Sequence, residues 1–284
     1  MNFRFVMKDS VATGFLIFFL SGFSCLQIFY SQVSWANGEA QAVAKVPSLE
    51  DTIKLALKHN SGAPQNEIIY AVKENYYLIQ QKFDQLKIVE EVKDHFETAI
   101  EKAEEKMESD EADVTQSQIT KLKLGRAGAL SDIIKYQSAS RQAKLSLGKL
   151  LGMDLPPDTG LAENKLVQIM LPYKTLDDYL LIRKEKSGGP GQLLKQMSEE
   201  KMLSLKVAFI QLEEKKGLAV LARKNRRMTR ALLVTEVANY DFGIGSGADL
   251  FEALIIYTRL LNGFHKSVYG FNLAVANLDK IYSD

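Results

Sequence analysis

Six prolines punctuate the chain at positions 47, 64, 156, 157, 172 and 190, and none occurs elsewhere. Two long blocks, 65–155 and 191–284, therefore contain no proline. Proline removes a backbone donor and clashes with the preceding helical turn, so its absence over such lengths permits very long helices. The apolar spacing uses that permission. In the first block Ile69, Val72, Tyr76, Ile79, Phe83 and Leu86 recur at alternating steps of three and four. After a phase slip near Val89 the stripe continues through Val92, Phe96, Ala99 or Ile100, Ala103 and Met107. This is a heptad seam on an otherwise charged helix. It stops at the polar run Glu108-Ser109-Asp110-Glu111-Ala112-Asp113. A second seam follows at Ile119, Leu122, Arg126, Ala129, Ile133, Tyr136, Ser140, Ala143, Leu147 and Leu150, and it ends at Gly152 before Pro156-Pro157. Glycine and then proline is the usual way a helix terminates. Two such helices joined by a short polar turn fold back as an antiparallel pair.

The second block repeats the plan. From Leu193 to about Asn239 the pattern is helical, with two faces partly apolar, until Asp241-Phe242-Gly243-Ile244-Gly245-Ser246-Gly247 breaks it. Leu250, Leu254, Tyr257, Leu261, Phe264, Val268, Phe271, Val275, Leu278 and Tyr282 then form the cleanest seam of the chain. A shift of 131 residues lays Ile119, Ile133, Ala143 and Leu147 on Leu250, Phe264, Ala274 and Leu278. The expected fold is all-α: two long antiparallel helical hairpins, coiled-coil-like, related as an internal repeat. Rods of this length, roughly 50–65 Å, either stack as a four-helix bundle or associate with copies of themselves into a helical barrel. The expected organisation is a signal peptide over 1–36, an N-terminal segment with a short helix over 37–64, and the first hairpin over 65–155. A linker with a short helix follows over 156–190, then the second hairpin over 191–284.

Arg4 and Lys8 precede an apolar stretch from Val11 to Tyr30, and Ser34-Trp35-Ala36 offers small residues for a cut after Ala36. These features read as a secretory signal peptide, with a signal anchor in the inner membrane as the competing reading, because twenty apolar residues nearly span a bilayer. The one cysteine, Cys25, lies in that segment. A cleaved chain would hold 34 basic and 34 acidic residues and no thiol.

Little in the sequence supports catalysis. His59, His95 and His265 lie in different segments without metal-ligand spacing. Gly243, Gly245 and Gly247 follow a helical pattern, whereas phosphate loops follow a strand, so a hairpin turn is the better reading. The chain is expected to be no enzyme and to hold neither cofactor nor metal. With 36 Lys+Arg against 35 Asp+Glu, it offers no general affinity for nucleic acid. The near-balance conceals two blocks. Residues 101–113 carry seven acids and two bases, and 215–230 carry seven bases and no acid. Arg223, Lys224, Arg226 and Arg227 are the charged-face contact candidates, serving either electrostatic matching between hairpins or docking to a partner; a solvated face is the competing reading.

Particular phrases resemble a known family. Phe242-Gly243-Ile244-Gly245, then Asp249-Leu250-Phe251-Glu252-Ala253-Leu254, closing in Phe271-Asn272-Leu273-Ala274-Val275-Ala276-Asn277-Leu278, is similar to the C-terminal hairpin of TolC-type outer-membrane efflux proteins. The segment from Ser48 to Asn60 resembles that family's opening helix, and Ala143-Lys144-Leu145 with Leu150-Leu151-Gly152-Met153-Asp154 resembles the close of its earlier repeat. The resemblance implies a trimer forming a periplasmic helical tunnel, with a periplasmic adaptor, an inner-membrane pump and an outer-membrane β-barrel. It makes Gly243, Gly245, Asp249, Leu250 and Glu252 the candidates for hairpin-tip or partner contact. Two departures stand out. Phe251 occupies the place after the turn's Leu where the family often has an acid, and only Lys165 to Tyr173 offers a short strand. The expected role is a non-enzymatic component of export across the cell envelope, located in the periplasm or outer membrane. The alternative is a periplasmic scaffold or adaptor-like protein that conducts no substrate.

Overall fold

The computed structural model describes residues 45–109, 114–186 and 197–283. The expected signal peptide, Asp110 to Asp113 of the acidic turn, and Leu193 lie outside the described residues. Among those described, six helices and no strand occur: α1 (Leu49–His59), α2 (Gln65–Glu108), α3 (Gln116–Leu151), α4 (Leu176–Lys186), α5 (Glu199–Asp241) and α6 (Gly247–Ser283). The fold is all-α. α2 spans 44 residues, a rod of roughly 66 Å.

Local chemistry sets the helix ends. Thr115 and Gln118 form a reciprocal capping box at the start of α3, which satisfies two otherwise orphaned backbone donors. At its far end Gly152 takes a left-handed conformation, φ 67°. A Cβ at that position would stand 2.2 Å from the His59 ring, so glycine is required both by the turn and by the approach of α1. Ser198 caps α5, accepting a hydrogen bond from the Lys201 N–H.

α2 with α3, and α5 with α6, pack as two antiparallel hairpins; α2 lies along α6 and joins them, and α3 also touches α6. On α3 and α6 the buried residues follow the predicted stripes, whereas on α2 Met107, at the end of its seam, is 40% exposed. Ile119, Leu122, Ala129, Ala143 and Leu147 of α3 are buried, as are Leu250, Leu254, Tyr257, Leu261, Val268 and Leu278 of α6. The phase slip in α2 has a structural cause. Being central, α2 buries a second set, including Gln81, Gln85, Ile88 and Val92, beside the first, and Gln85 Nε2 donates to the Asn262 carbonyl of α6.

Both hairpin turns come to the same end of the array. There Ala103, Ile119, Leu122, Tyr240 and Leu250 share one apolar cluster, and the Tyr240 hydroxyl donates to the Ala99 carbonyl at 2.9 Å. α1, the linker and α4 close the opposite end, with Tyr179, Leu205, Leu212, Phe271 and Leu278 in one cluster. Arg183 pairs there with Asp279. The short strand expected from Lys165 to Tyr173 does not form. That stretch runs as irregular chain because its backbone donors find side chains instead of a neighbouring strand. The Leu166 N–H donates to Asp84. The Ile169 N–H donates to Asn272 Oδ1, and Asn272 Nδ2 donates back to the Val167 carbonyl.

Candidate functional site: the turn end and the outer helices

The turn between α5 and α6 is built by its glycines. Gly243 has φ 73°, a left-handed conformation that side chains disfavour. A Cβ on Gly245 would stand 2.8 Å from Cβ of Asn239, and the N–H groups of Ile244 and Gly245 both donate to the Asn239 carbonyl. Ser246 then opens α6, accepting from the Asp249 N–H while its hydroxyl donates to the Asp249 carboxylate at 2.7 Å.

This geometry redistributes the candidate tip residues. Gly243 and Gly245 shape the turn, Asp249 is occupied in the cap, and Glu252 is exposed. Leu250 is not available to a partner: at 3% exposure it packs in the turn-end core, as befits a member of the inward stripe. The side chains that reach solvent are Phe242, 80% exposed, and Ile244, 78% exposed. Their signal was in the sequence, as two large apolar residues flanking Gly243 outside the seam that begins at Leu250. A cavity of about 640 Å³ lies between the turns, lined in part by Lys106, Val114, Gln118, Tyr240 and Ser246. Lys102 bridges to Asp241 at 2.6 Å across the same end.

A second feature lies along the outer helices. On α3, Leu124, Ala127, Ser131, Ile134, Ser138, Arg141 and Leu145 are all exposed and step by three and four. On α5, Leu203, Val207, Ile210, Leu218, Leu221, Met228 and Leu232 are exposed large apolar residues on one side. Each helix thus has one apolar stripe turned into its own hairpin and a second line turned to solvent, apolar on α5 and on α3 carrying Leu124, Ile134 and Leu145 among small and polar residues. This is why the α5 pattern reads as two partly apolar faces.

The basic block occupies a different flank of α5. Residues two apart on a helix stand about 200° apart, so Arg223 and Arg230 back onto Leu221 and Met228. Arg223 donates to Gln168 Oε1, and Arg226 lies over the Phe264 ring, 4.9 Å from its centroid. Lys224 and Arg227 are exposed. Across the groove, the Tyr257 hydroxyl donates to Glu91 at 3.0 Å; burial, with the Glu91 charge beside it, pushes the Tyr257 phenol up to about 12. Near the opposite end, burial and the neighbouring Arg183 hold Lys73 below its ordinary value. Among the described residues no group of His, Cys, Asp and Glu could hold a metal ion. His59 lies against Gly152, His95 lines the α2–α5 groove, and His265 stands 3.3 Å from Asp84.

No protein-family model matches the chain, and no curated protein does. Solved structures do. The outer-membrane channel OprN superposes with a TM-score of 0.63 at 10% identity, over 83% of this chain and 70% of that one. CusC, described for its transmembrane channel formation, gives 0.59 at 13% identity, over 82% of this chain and 72% of that one. The outer membrane protein VceC from Vibrio cholerae gives 0.57 at 10% identity, over 82% and 74%. The chain shares their fold across most of its described length.

Proposed function

We propose that this chain is a divergent TolC-type protein that serves export across the cell envelope as a non-enzymatic, self-associating component. The sequence phrases of the second hairpin and the fold shared with outer-membrane channels support the same family. The observation that carries the reading is the two sets of large apolar residues left exposed along α3 and α5. A monomer gains nothing from large apolar side chains held in water along both outer helices, whereas burying a Leu, Ile or Met side chain contributes about 1.5–3 kcal/mol.

The two sets match in height. Leu124 lies near the start of α3 and Leu232 near the end of α5, each roughly 12–14 Å from the turn end. Ile134 and Leu221 are each roughly 27–30 Å from it. Copies arranged side by side in the same direction would therefore set α5 of one against α3 of the next, antiparallel and in register. The small Ala127, Ser131 and Ser138 leave room for Leu218 and Met228. Heterologous contacts close into a ring where the rotation between copies closes; the family resemblance implies three copies, with Phe242 and Ile244 presented at one rim to a periplasmic adaptor.

The test is the mass of the native complex after gentle extraction, by light scattering. Three times the chain mass is expected, and I134D with L221D should reduce it to that of one chain without lowering the helical content. A strict monomer in the unsubstituted protein would overturn the reading.

A further inference from the structure

The arginine flank of α5 faces away from the apolar stripe and lies well short of the turn end. Arg223, Arg226, Arg227 and Arg230 line a cavity of about 730 Å³ together with Val234 and Phe264; no carboxylate lines it, and Glu91, hydrogen-bonded to Tyr257, lines the adjoining hollow that shares Arg230 and Val234. α5 itself offers none nearby, since it carries no acid from Lys215 to Thr235. Two of the guanidinia are already oriented, Arg223 by its hydrogen bond to Gln168 and Arg226 by stacking over Phe264. Four like charges gathered around one hollow repel one another, and orientation of their donors costs side-chain freedom. A bound anion offsets both.

We propose that this cavity is a binding site for an anion of the phosphate class. A guanidinium fork engages two oxygens of a carboxylate or phosphate. A carboxylate has two oxygens and one charge, which one or two forks satisfy. A phosphate group carries up to two charges and three free oxygens, and so suits a cluster of several guanidinia better than a carboxylate does. Val234, 64% exposed, offers an apolar surface to the remainder of such a ligand, while the buried Phe264 ring backs the Arg226 guanidinium. The phosphate is either free in solution or the headgroup of an anionic lipid, and the recognition chemistry is the same for both.

Two probes separate the sources. The full chain is titrated calorimetrically with inorganic pyrophosphate, and it is floated with phosphatidylcholine vesicles with and without phosphatidylglycerol. The informative variant is R223Q/R226Q/R230Q. Its control is K121Q/K135Q/K149Q, which removes the same charge from exposed positions on α3; circular dichroism establishes that both fold, and R226Q alone stands in if the triple variant does not. One or both probes should bind the unsubstituted chain at low ionic strength, with affinity falling as salt rises. The arginine variant should lose about tenfold, a typical cost of removing charge-assisted hydrogen bonds, and the lysine control less than twofold. Pyrophosphate binding assigns a soluble ligand; phosphatidylglycerol-dependent flotation alone assigns a headgroup. The proposal is overturned if neither probe binds, as when an acidic protein segment fills the groove, or if both variants lose affinity equally.

Discussion

Replacing Gly125 with alanine tests whether α2 and α3 meet as closely as the structure has them. Gly125 lies on the inward stripe of α3, and a Cβ there would stand 2.4 Å from Cζ and 2.6 Å from Cε1 of Phe96. The Phe96 ring is wholly buried in the turn-end cluster, and it lines with Gly125 a cavity of about 590 Å³, so a methyl at position 125 must push the ring out of its packed position toward that space. Overpacking of this kind costs about 1–3 kcal/mol, while glycine to alanine inside a helix gains about 1 kcal/mol. The net effect alone is therefore ambiguous, and a control resolves it. Gly263, in the middle of α6, has nothing within 4 Å of where its Cβ would be, so G263A keeps the propensity gain without the clash. Subtracting the two variants cancels propensity and leaves the steric cost, about 1–3 kcal/mol, or roughly 2–4 °C of melting temperature per kcal/mol in a chain of this size. Urea unfolding followed by circular dichroism measures it. F96L made in the G125A background should cost less than F96L alone, with a coupling of about 1 kcal/mol or more. Equal stability of G125A and G263A, or a coupling of zero, would refute the close approach.

Three further outcomes follow from the same packing. N272A removes the side chain that both accepts from Ile169 and donates to Val167; it should cost about 1–3 kcal/mol and speed proteolysis of the 165–173 stretch. L250A should destabilise by about 2–5 kcal/mol, whereas F242S/I244S should leave melting unchanged and weaken only capture by an adaptor. Tyr76, Tyr77, Tyr179 and Tyr257 are all pushed up to about 12 by burial. The unfolded chain ionises its phenols near 10 while the folded chain holds its protons, so stability should be full below pH 10 and fall between pH 10 and 12. Urea midpoints that stay level across that interval would contradict the burial of these phenols.

Much of the helical framework was legible because a long heptad stripe has one economical structural meaning. The α6 seam from Leu250 to Leu278 is the clearest case: its positions face inward almost without exception. The same seam could have corrected the reading of the tip. The family resemblance makes Leu250 a candidate for tip contact, yet Leu250 begins a stripe whose members are buried. Position in a periodic pattern outweighs nearness to a loop, since the stripe is stabilised along its whole length. Phe242 and Ile244 belong to no stripe, and that is the reason they remain exposed. The 165–173 stretch was illegible for a different reason. Its backbone partners are the side chains of Asp84 and Asn272, 82 and 103 residues away in sequence from the groups they hold, and no local pattern encodes such a pairing.

α5 marks where periodicity ceases to discriminate. A heptad stripe announces that a face prefers to leave water, and carries no label for which surface will cover it. α2 and α5 both carry more than one set of apolar positions, with opposite outcomes. In α2 the second set, around Ile88 and Val92, is covered by α6 of the same chain. In α5 the second set, from Leu203 to Leu232, is left in solvent because α6 is its extended neighbour on one side and, among the described residues, no helix packs along the other. α3, the other outer helix, has the matching fault in its exposed Leu124, Ile134 and Leu145. A chain whose two outermost helices each expose large apolar residues, at corresponding heights and in opposite directions, suits the side-by-side assembly proposed above. On that proposal its periodicity serves an assembly as well as a fold.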